Sequence, residues 1–192
     1  MSTLQISIDA ALITLQSVRD LQGPVDAAAR LVGESLLSGG KLLVCGNGGS
    51  AADAADFSTE FTCRFITDRR PFPALNLTAC GSFLTATGND YGFDDVFARQ
   101  VHAFGKPGDV LVAITTSGNS RNIVAALQAA REIGVKSAAL LGKSGGTAKG
   151  LADVELLISS QETARIQEAH KFLLHVICQM AEEGWLLQTR AA

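Results

Sequence analysis

Apolar and polar positions alternate along this chain in two rhythms. Near the start, Ile8, Ala11, Leu12, Leu15 and Val18 recur at helical spacing. Val25, Ala28, Ala29, Leu31, Val32 and Leu36 repeat that spacing up to a Gly39–Gly40 stop. Helices are therefore expected over 1–38. Beyond them, short continuous apolar runs at 41–45, 74–77, 110–114, 137–141 and 154–158 alternate with stretches of helical period. Strands that are apolar on both faces belong to a parallel sheet covered by helices on either side. The pattern predicts an α/β three-layer sandwich with a five-stranded parallel sheet, built as a single domain over 1–192. Its N-terminal helices occupy 1–38, and 41–192 hold the sheet core and a C-terminal helix. That last helix, from Glu162 to Leu187, carries Ile166, Ala169, Leu173, Ile177 and Met180 on one stripe, and its length predicts packing against another subunit.

Two strand-to-helix junctions carry candidate chemistry. The first apolar run leads into Gly46, Asn47, Gly48, Gly49 and Ser50, and then into a helix bearing Asp56 and Glu60. Such a turn aims several backbone N–H groups one way, with the positive end of the helix dipole behind them, which suits anions and sugar hydroxyls. Asn47 and Ser50 add hydrogen-bonding side chains, and Ser50 is also a candidate N-cap. The pattern is not G-x-G-x-x-G and lacks a G-K-[ST] ending, so dinucleotides and nucleoside triphosphates are poor candidates. At the second junction, the strand at 110–114 runs into Thr115, Thr116, Ser117, Gly118, Asn119 and Ser120. Four hydroxyls beside a helix start can satisfy a phosphate monoester without an obligatory cation. Each junction also has a plain reading, as a tight turn or as hydroxyls that merely cap a helix.

These two turns, in this order, resemble the strand–GNGGS–helix and strand–STSGxS–helix pair of the sugar isomerase (SIS) domain, and the likeness covers nearly the whole chain. It sharpens at T87-G-N-D-Y-G-F93, at G142-K-S-G-G146 and at R165-I-Q-E-A-H-K-F-L-L-H175, which resemble the phosphoheptose isomerases of bacterial heptose synthesis. The resemblance implies a flavodoxin-like strand order and a homotetramer with active sites at subunit interfaces. It also implies aldose–ketose isomerisation of sedoheptulose 7-phosphate to D-glycero-D-manno-heptose 7-phosphate through an enediol, the first step of ADP- or GDP-heptose synthesis. By the same resemblance, Thr115, Thr116, Ser117 and Ser120 hold the phosphate. Asn47, Gly48, Gly49, Ser50, Glu60, Asn89, Asp90 and Gln167 contact the sugar, and Glu60 and His175 are the catalytic acid and base. The family's zinc ligands run His, Glu, Gln, His, and fall here on Asp56, Glu60, Gln167 and His175.

Asp56 in place of a histidine is the chain's clearest departure from that pattern. Carboxylate oxygen reaches zinc at about the same distance as imidazole nitrogen, so one Zn²⁺ per subunit remains the expectation, with a weaker Lewis acid or a harder ion favoured by the anionic ligand. Asp56 and Glu60 are one helical turn apart and share a face, and Gln167 and His175, eight residues apart, fall near one stripe. Taken alone, Asp56 reads as a solvated helix acid and His175 as a core or interface histidine. His170 and Lys171 are read as peripheral, His102 has no assigned role, and Arg64, Arg69 and Arg70 are candidates to assist an anionic ligand. The competing reading is a non-catalytic SIS protein, either a sugar-phosphate binder or an adaptor for a replication initiator. Glu60 and His175 together argue against it, since an adaptor needs neither.

Composition narrows the field. A net charge of −3 without a basic run argues against nucleic acid as a partner. No apolar stretch reaches membrane-spanning length and no basic-then-apolar leader opens the chain, so a cytoplasmic protein without a membrane partner is expected. Cys45, Cys63, Cys80 and Cys178 show no C-x-x-C spacing, and most are expected to be buried, reduced thiols.

Overall fold

A computed structural model describes the backbone of residues 1–191 and the side chains of residues 1–186. Five strands form one parallel sheet: β1 (Leu42–Gly46), β2 (Ala74–Asn76), β3 (Val110–Thr115), β4 (Lys136–Gly142) and β5 (Val154–Ile158), in the order β2-β1-β3-β4-β5. This is the flavodoxin-like order, and the five apolar runs of the sequence each become a strand within a residue or two. Seven helices connect and cover them: α1 (Thr3–Ser17), α2 (Gln22–Leu37), α3 (Gly49–Thr62), α4 (Gly81–Asp90), α5 (Ala98–Phe104), α6 (Arg121–Glu132) and α7 (Thr163–Ala191).

Alternation along each strand divides the core in two, because successive side chains point to opposite faces. Leu42 and Val44 of β1, with Val110, Val112 and Ile114 of β3, meet α2, α3 and α7. Leu43, Cys45, Leu111 and Ala113 face the other way and meet α5 and α6. Fully buried Asp109 ties the lower ends of β1 and β3 together, accepting hydrogen bonds from Lys41 N (3.0 Å), Lys106 N (2.9 Å) and the Lys41 ammonium. A buried carboxylate survives only with such partners, and these fix the relative height of the two strands that carry the candidate turns.

The α7 stripe packs within this chain. Ile166, Ala169, Leu173 and Ile177 are buried in this chain's own core, with Met180 packed against it, because α7 fills the groove between α2, α3 and the sheet. The densest group of large apolar residues left in solvent lies on α1, where Leu4, Ile6, Ile8, Leu12 and Ile13 are exposed. The cysteines divide evenly instead of being mostly buried: Cys45 and Cys178 are buried, Cys63 and Cys80 are exposed, and all four are free thiols.

Arg69 serves the fold. Its Nε donates to the buried Glu182 carboxylate (3.0 Å), and its Nη groups donate to the carbonyls of Glu60 (2.6 Å) and Phe61 (3.1 Å) at the end of α3. Glu182 also accepts from Ile66 N (3.1 Å) and Thr67 N (3.0 Å), so one ion pair binds the loop after α3 to α7 and caps the last carbonyls of α3. That engagement takes Arg69 out of the set of groups that could assist an anion.

Candidate active site

In an open parallel sheet, ligands bind beyond the carboxyl ends of the strands where the strand order reverses. Here that point lies between β1 and β3, where Gly46 pairs with Ile114 and the two candidate turns emerge side by side. Asn47 and Asn122 join them by a reciprocal amide pair, each side-chain NH₂ donating to the other's oxygen at 2.9 Å. Asn47 was expected to offer its side chain to a ligand, and it instead braces the first turn against α6. Asn122 was not singled out from sequence, although it stands at the second position of α6.

The first turn leads into α3 with Gly48 as N-cap at φ 55°, so Ser50 is not the cap. Ser50 lies buried inside the first helical turn, its N–H donating to Asn47 O (3.0 Å). Gly49 lies against the Gln167 side chain: a Cβ there would stand 2.3 Å from Gln167 Nε2, so the amide would have to move aside. The Gln167 amide thus lies over the glycine turn.

In the second turn the four hydroxyls divide their work. Thr115 is buried, and its hydroxyl accepts from Gly118 N (3.2 Å) and lies 3.4 Å from Ser120 Oγ. Ser117 Oγ accepts from Asn119 N (3.1 Å). Thr115 therefore holds the loop, and Thr116, Ser117 and Ser120, all half-buried, line its accessible side. Behind them α6 starts at Arg121, and the first N–H groups of a helix have no acceptor within it. The 142–146 loop locks this turn in place. Gly118 has φ 66°, and a Cβ on it would lie 1.9 Å from Gly145 O, so the two backbones meet in near contact. Ala148 N donates to Gly118 O (2.9 Å) and Thr147 N to Asn119 Oδ1 (3.0 Å). Asn89 and Asp90 end α4, exposed and bonded to each other (2.8 Å), and the turn that follows reaches α6 through an Asp94–Arg121 pair (3.4 Å).

α3 and α7 run side by side in the same direction, and their facing residues form a ladder. Gly49 meets Gln167, and Asp53 and Asp56 both bind Lys171, at 3.0 Å and 2.5 Å. Farther along, the charge of Glu60 reaches Cys178, whose thiol is pushed up first by burial and then by that carboxylate. His175 is exposed and stacks on Phe65 at 5.7 Å between ring centroids. Burial alone would lower the Lys171 pKa, but hydrogen bonds and charge from Asp56 and Asp53 outweigh it and hold it above the usual lysine value. Lys171 thus stands inside the candidate site, contrary to its reading as peripheral. His170, next to it, is fully buried and structural: its Nε2–H donates to Leu141 O (3.1 Å), and burial pushes its pKa down to about 4.

Residues 8–142 match the family model of the SIS domain. The phosphoheptose isomerase of Geobacter sulfurreducens is 50% identical over 165 residues, which cover 86% of this chain and 87% of that protein. The chain belongs to the phosphoheptose isomerase family of SIS domains. Solved structures agree: a phosphoheptose isomerase from Francisella tularensis superposes with a TM-score of 0.91 at 35% identity, over 95% of this chain and all of that one. Phosphoheptose isomerase from Neisseria gonorrhoeae gives 0.85 at 43% identity, over 94% of this chain and all of that one.

Within this isomerase family the resemblance supplies a zinc ligand set, and the arrangement of these residues does not fit it. The Asp56 carboxylate is taken by the Lys171 ammonium, which would compete with a cation for the same oxygen. Among the described residues, no three His, Cys, Asp or Glu side chains come together in a way that could hold a metal ion. Asp53 was not singled out from the sequence and Lys171 was read as peripheral, yet the two meet Asp56 between α3 and α7. The signal was present in the spacing, since Lys171 lies four residues after Gln167 and four before His175, and Asp53 three before Asp56.

Proposed function

We propose that this chain isomerises sedoheptulose 7-phosphate to D-glycero-D-manno-heptose 7-phosphate, at the entry to ADP- or GDP-heptose synthesis for a surface glycan such as lipopolysaccharide. Its membership of the phosphoheptose isomerases makes it an aldose–ketose isomerase. The observation that carries the assignment to this site is the pairing of the glycine turn and the hydroxyl turn at the sheet's switch point, braced by Asn47 and Asn122. One turn suits a sugar and the other a phosphate.

In this reading Thr116, Ser117 and Ser120, with the first N–H groups of α6, take the phosphate oxygens, and Thr115 keeps their loop closed. Gly48, Gly49, Ser50 and Gln167 bound the carbonyl end of the open-chain sugar, and Asn89 and Asp90 take its middle hydroxyls. A proton leaves C1 of the ketose, its electron pair forms the C1–C2 double bond, and O2 gains a proton to give the cis-enediol. Loss of the O1 proton and protonation at C2 then yield the aldehyde. Glu60 and His175 share the acid and base roles in these transfers. The backbone N–H groups of the glycine turn face the oxygens on which charge develops.

Two further parts of the reading have their own support. Five large apolar side chains exposed on α1 favour association of copies of this chain, with a homotetramer as the proposed assembly and the site at a subunit interface. A phosphorylated sugar does not cross membranes unaided, which favours the cytoplasm. Among the described residues no helix is long and apolar enough to span a membrane.

Incubation with sedoheptulose 7-phosphate in deuterated water, followed by NMR, tests the proposal. The expected outcome is an aldoheptose 7-phosphate carrying deuterium at C2, with turnover lowered on the order of 10²–10⁴-fold in both Glu60→Gln and His175→Ala. An unchanged ketose without exchange at C1 would turn the assignment toward a binding role.

A further inference from the structure

We propose that Lys171 replaces the divalent metal in this chain: its ammonium, held by Asp53 and Asp56, is the fixed cation of the site, and the isomerase works without a bound metal ion. The inference rests on the isomerase reading above for its catalytic half, and on geometry alone for its metal half.

The position of the ammonium carries the argument. Gln167, Lys171 and His175 follow one another at four-residue intervals on α7, so they lie on a single stripe with Lys171 in the middle. The facing stripe of α3 offers Gly49, Asp53 and Asp56 in register, and Glu60 one turn beyond Asp56. A metal bound by Asp56, Glu60, Gln167 and His175 would have to sit among those four side chains. Lys171 already projects between its two α7 members and binds Asp56 at 2.5 Å. It also reaches Asp53 at 3.0 Å, whose side chain is only 10% exposed. That second bond is what makes the arrangement firm. A nearly buried carboxylate needs a permanent partner, so releasing Lys171 to admit a divalent ion would strand Asp53.

The two unusual residues explain one another. A histidine at position 56 would be a neutral ligand, and a lysine facing it would repel the metal that it helps to bind. An aspartate at 56 facing a lysine makes an ion pair, with nearly buried Asp53 as its anchor. Asp56 is thus half of a charge pair at the protein surface, and the −1 it adds is matched by Lys171. A Lys ammonium is a compact cation with three donors, two of which are committed here, leaving one N–H to turn toward an oxygen of the bound sugar. Charge appearing on the enediol oxygens is then met by this fixed cation, one helical turn from His175 on α7.

The deciding experiment measures metal and turnover separately. Purified wild-type protein, grown with zinc, is analysed for metal content, dialysed against EDTA, titrated with Zn²⁺ by calorimetry and assayed for isomerisation in the chelator. Expected are less than about 0.1 metal ion per subunit, no stoichiometric zinc binding and undiminished turnover in EDTA. Lys171→Met should lower kcat by about tenfold or more with little change in KM, and Lys171→Arg should restore part of the loss, which a purely structural role would not produce. The double variant Asp56→His with Lys171→Met should gain about one zinc per subunit. Should Lys171→Met fail to fold, adding Asp53→Asn removes the stranded charge and carries the same readouts. One tightly held zinc per wild-type subunit, or full kcat in folded Lys171→Met, overturns the proposal. Zinc titration answers even if sedoheptulose 7-phosphate proves not to be the substrate, so failure of the isomerase reading and failure of this one are separable.

Discussion

His170 shows how a side chain that suggests chemistry can serve the fold alone. It sits beside Lys171 on the helix that lines the site, yet it is fully buried and its Nε2–H is spent on Leu141 O. Burial holds its pKa at about 4, against 6.5 in the unfolded chain, so between those values the unfolded state binds a proton that the native state refuses. The contribution of neutral His170 is therefore complete above pH 6.5 and is lost as pH falls toward 4, reaching about 3 kcal/mol. Urea unfolding of wild type and His170→Gln across pH 7 to 4 should show the wild type losing about that much more than the variant; parallel curves would contradict the burial argument. Gly118 makes a different residue-scale case. Its φ of 66° and the 1.9 Å gap from a hypothetical Cβ to Gly145 O leave no relaxation that avoids moving backbone. Gly118→Ala should cost about 2 kcal/mol or more, and thermal unfolding should show it as a drop of roughly 4–8 °C. A midpoint unchanged within a degree would mean that the 142–146 loop moves freely.

Between elements, the pairing of α3 with α7 sets the site, and the loop joining α3 to β2 is what keeps α3 from shifting. Glu182 holds that loop with three donors, Ile66 N, Thr67 N and Arg69 Nε, while Arg69 caps the carbonyls of Glu60 and Phe61. Both side chains are nearly buried, so removing one strands the other. Glu182→Ala should destabilise the protein by about 3–5 kcal/mol, a value to be read from urea unfolding. Because the same contacts end the helix that carries Glu60, turnover should fall as well, although neither residue touches the proposed substrate. A loss of stability with unaltered kcat would show that the helix end is held by packing alone. Sequence could not assign this role to Arg69, because its partner lies 113 residues away in the chain.

At the scale of the molecule, α1 leaves an apolar face exposed while the α7 stripe is buried in the chain's own core. Ile6 and Ile13, seven residues apart and therefore on one stripe, are 55% and 68% exposed. Charging both, as Ile6→Glu with Ile13→Glu, should shift the protein to a smaller species in light scattering and lower its turnover, if copies of the chain meet through α1. A species of unchanged mass would place the interface elsewhere. Solubility of the folded subunit should not suffer, since both positions already face water.

Much of this architecture follows from the chain's own pattern. Continuous apolar runs became parallel strands because only a sheet covered on both faces hides every residue of such a run, and β1 and β3 each end where glycine or hydroxyl residues replace apolar ones. The two turns, the acidic helix face and the Gln167–His175 stripe were all legible, since each depends on neighbours within a few positions. What spacing along one helix leaves open is which helix faces it. The amphipathic stripe of α7 reads the same whether it meets a second subunit or its own core, and Lys171 reads as one more solvated lysine until Asp53 and Asp56 are placed across from it. Those choices depend on contacts 115 residues apart, such as Lys171 with Asp56. Local sequence fixes the period and polarity of each element; the packing of α3 on α7 alone determines which charges meet, and therefore which cation the site holds.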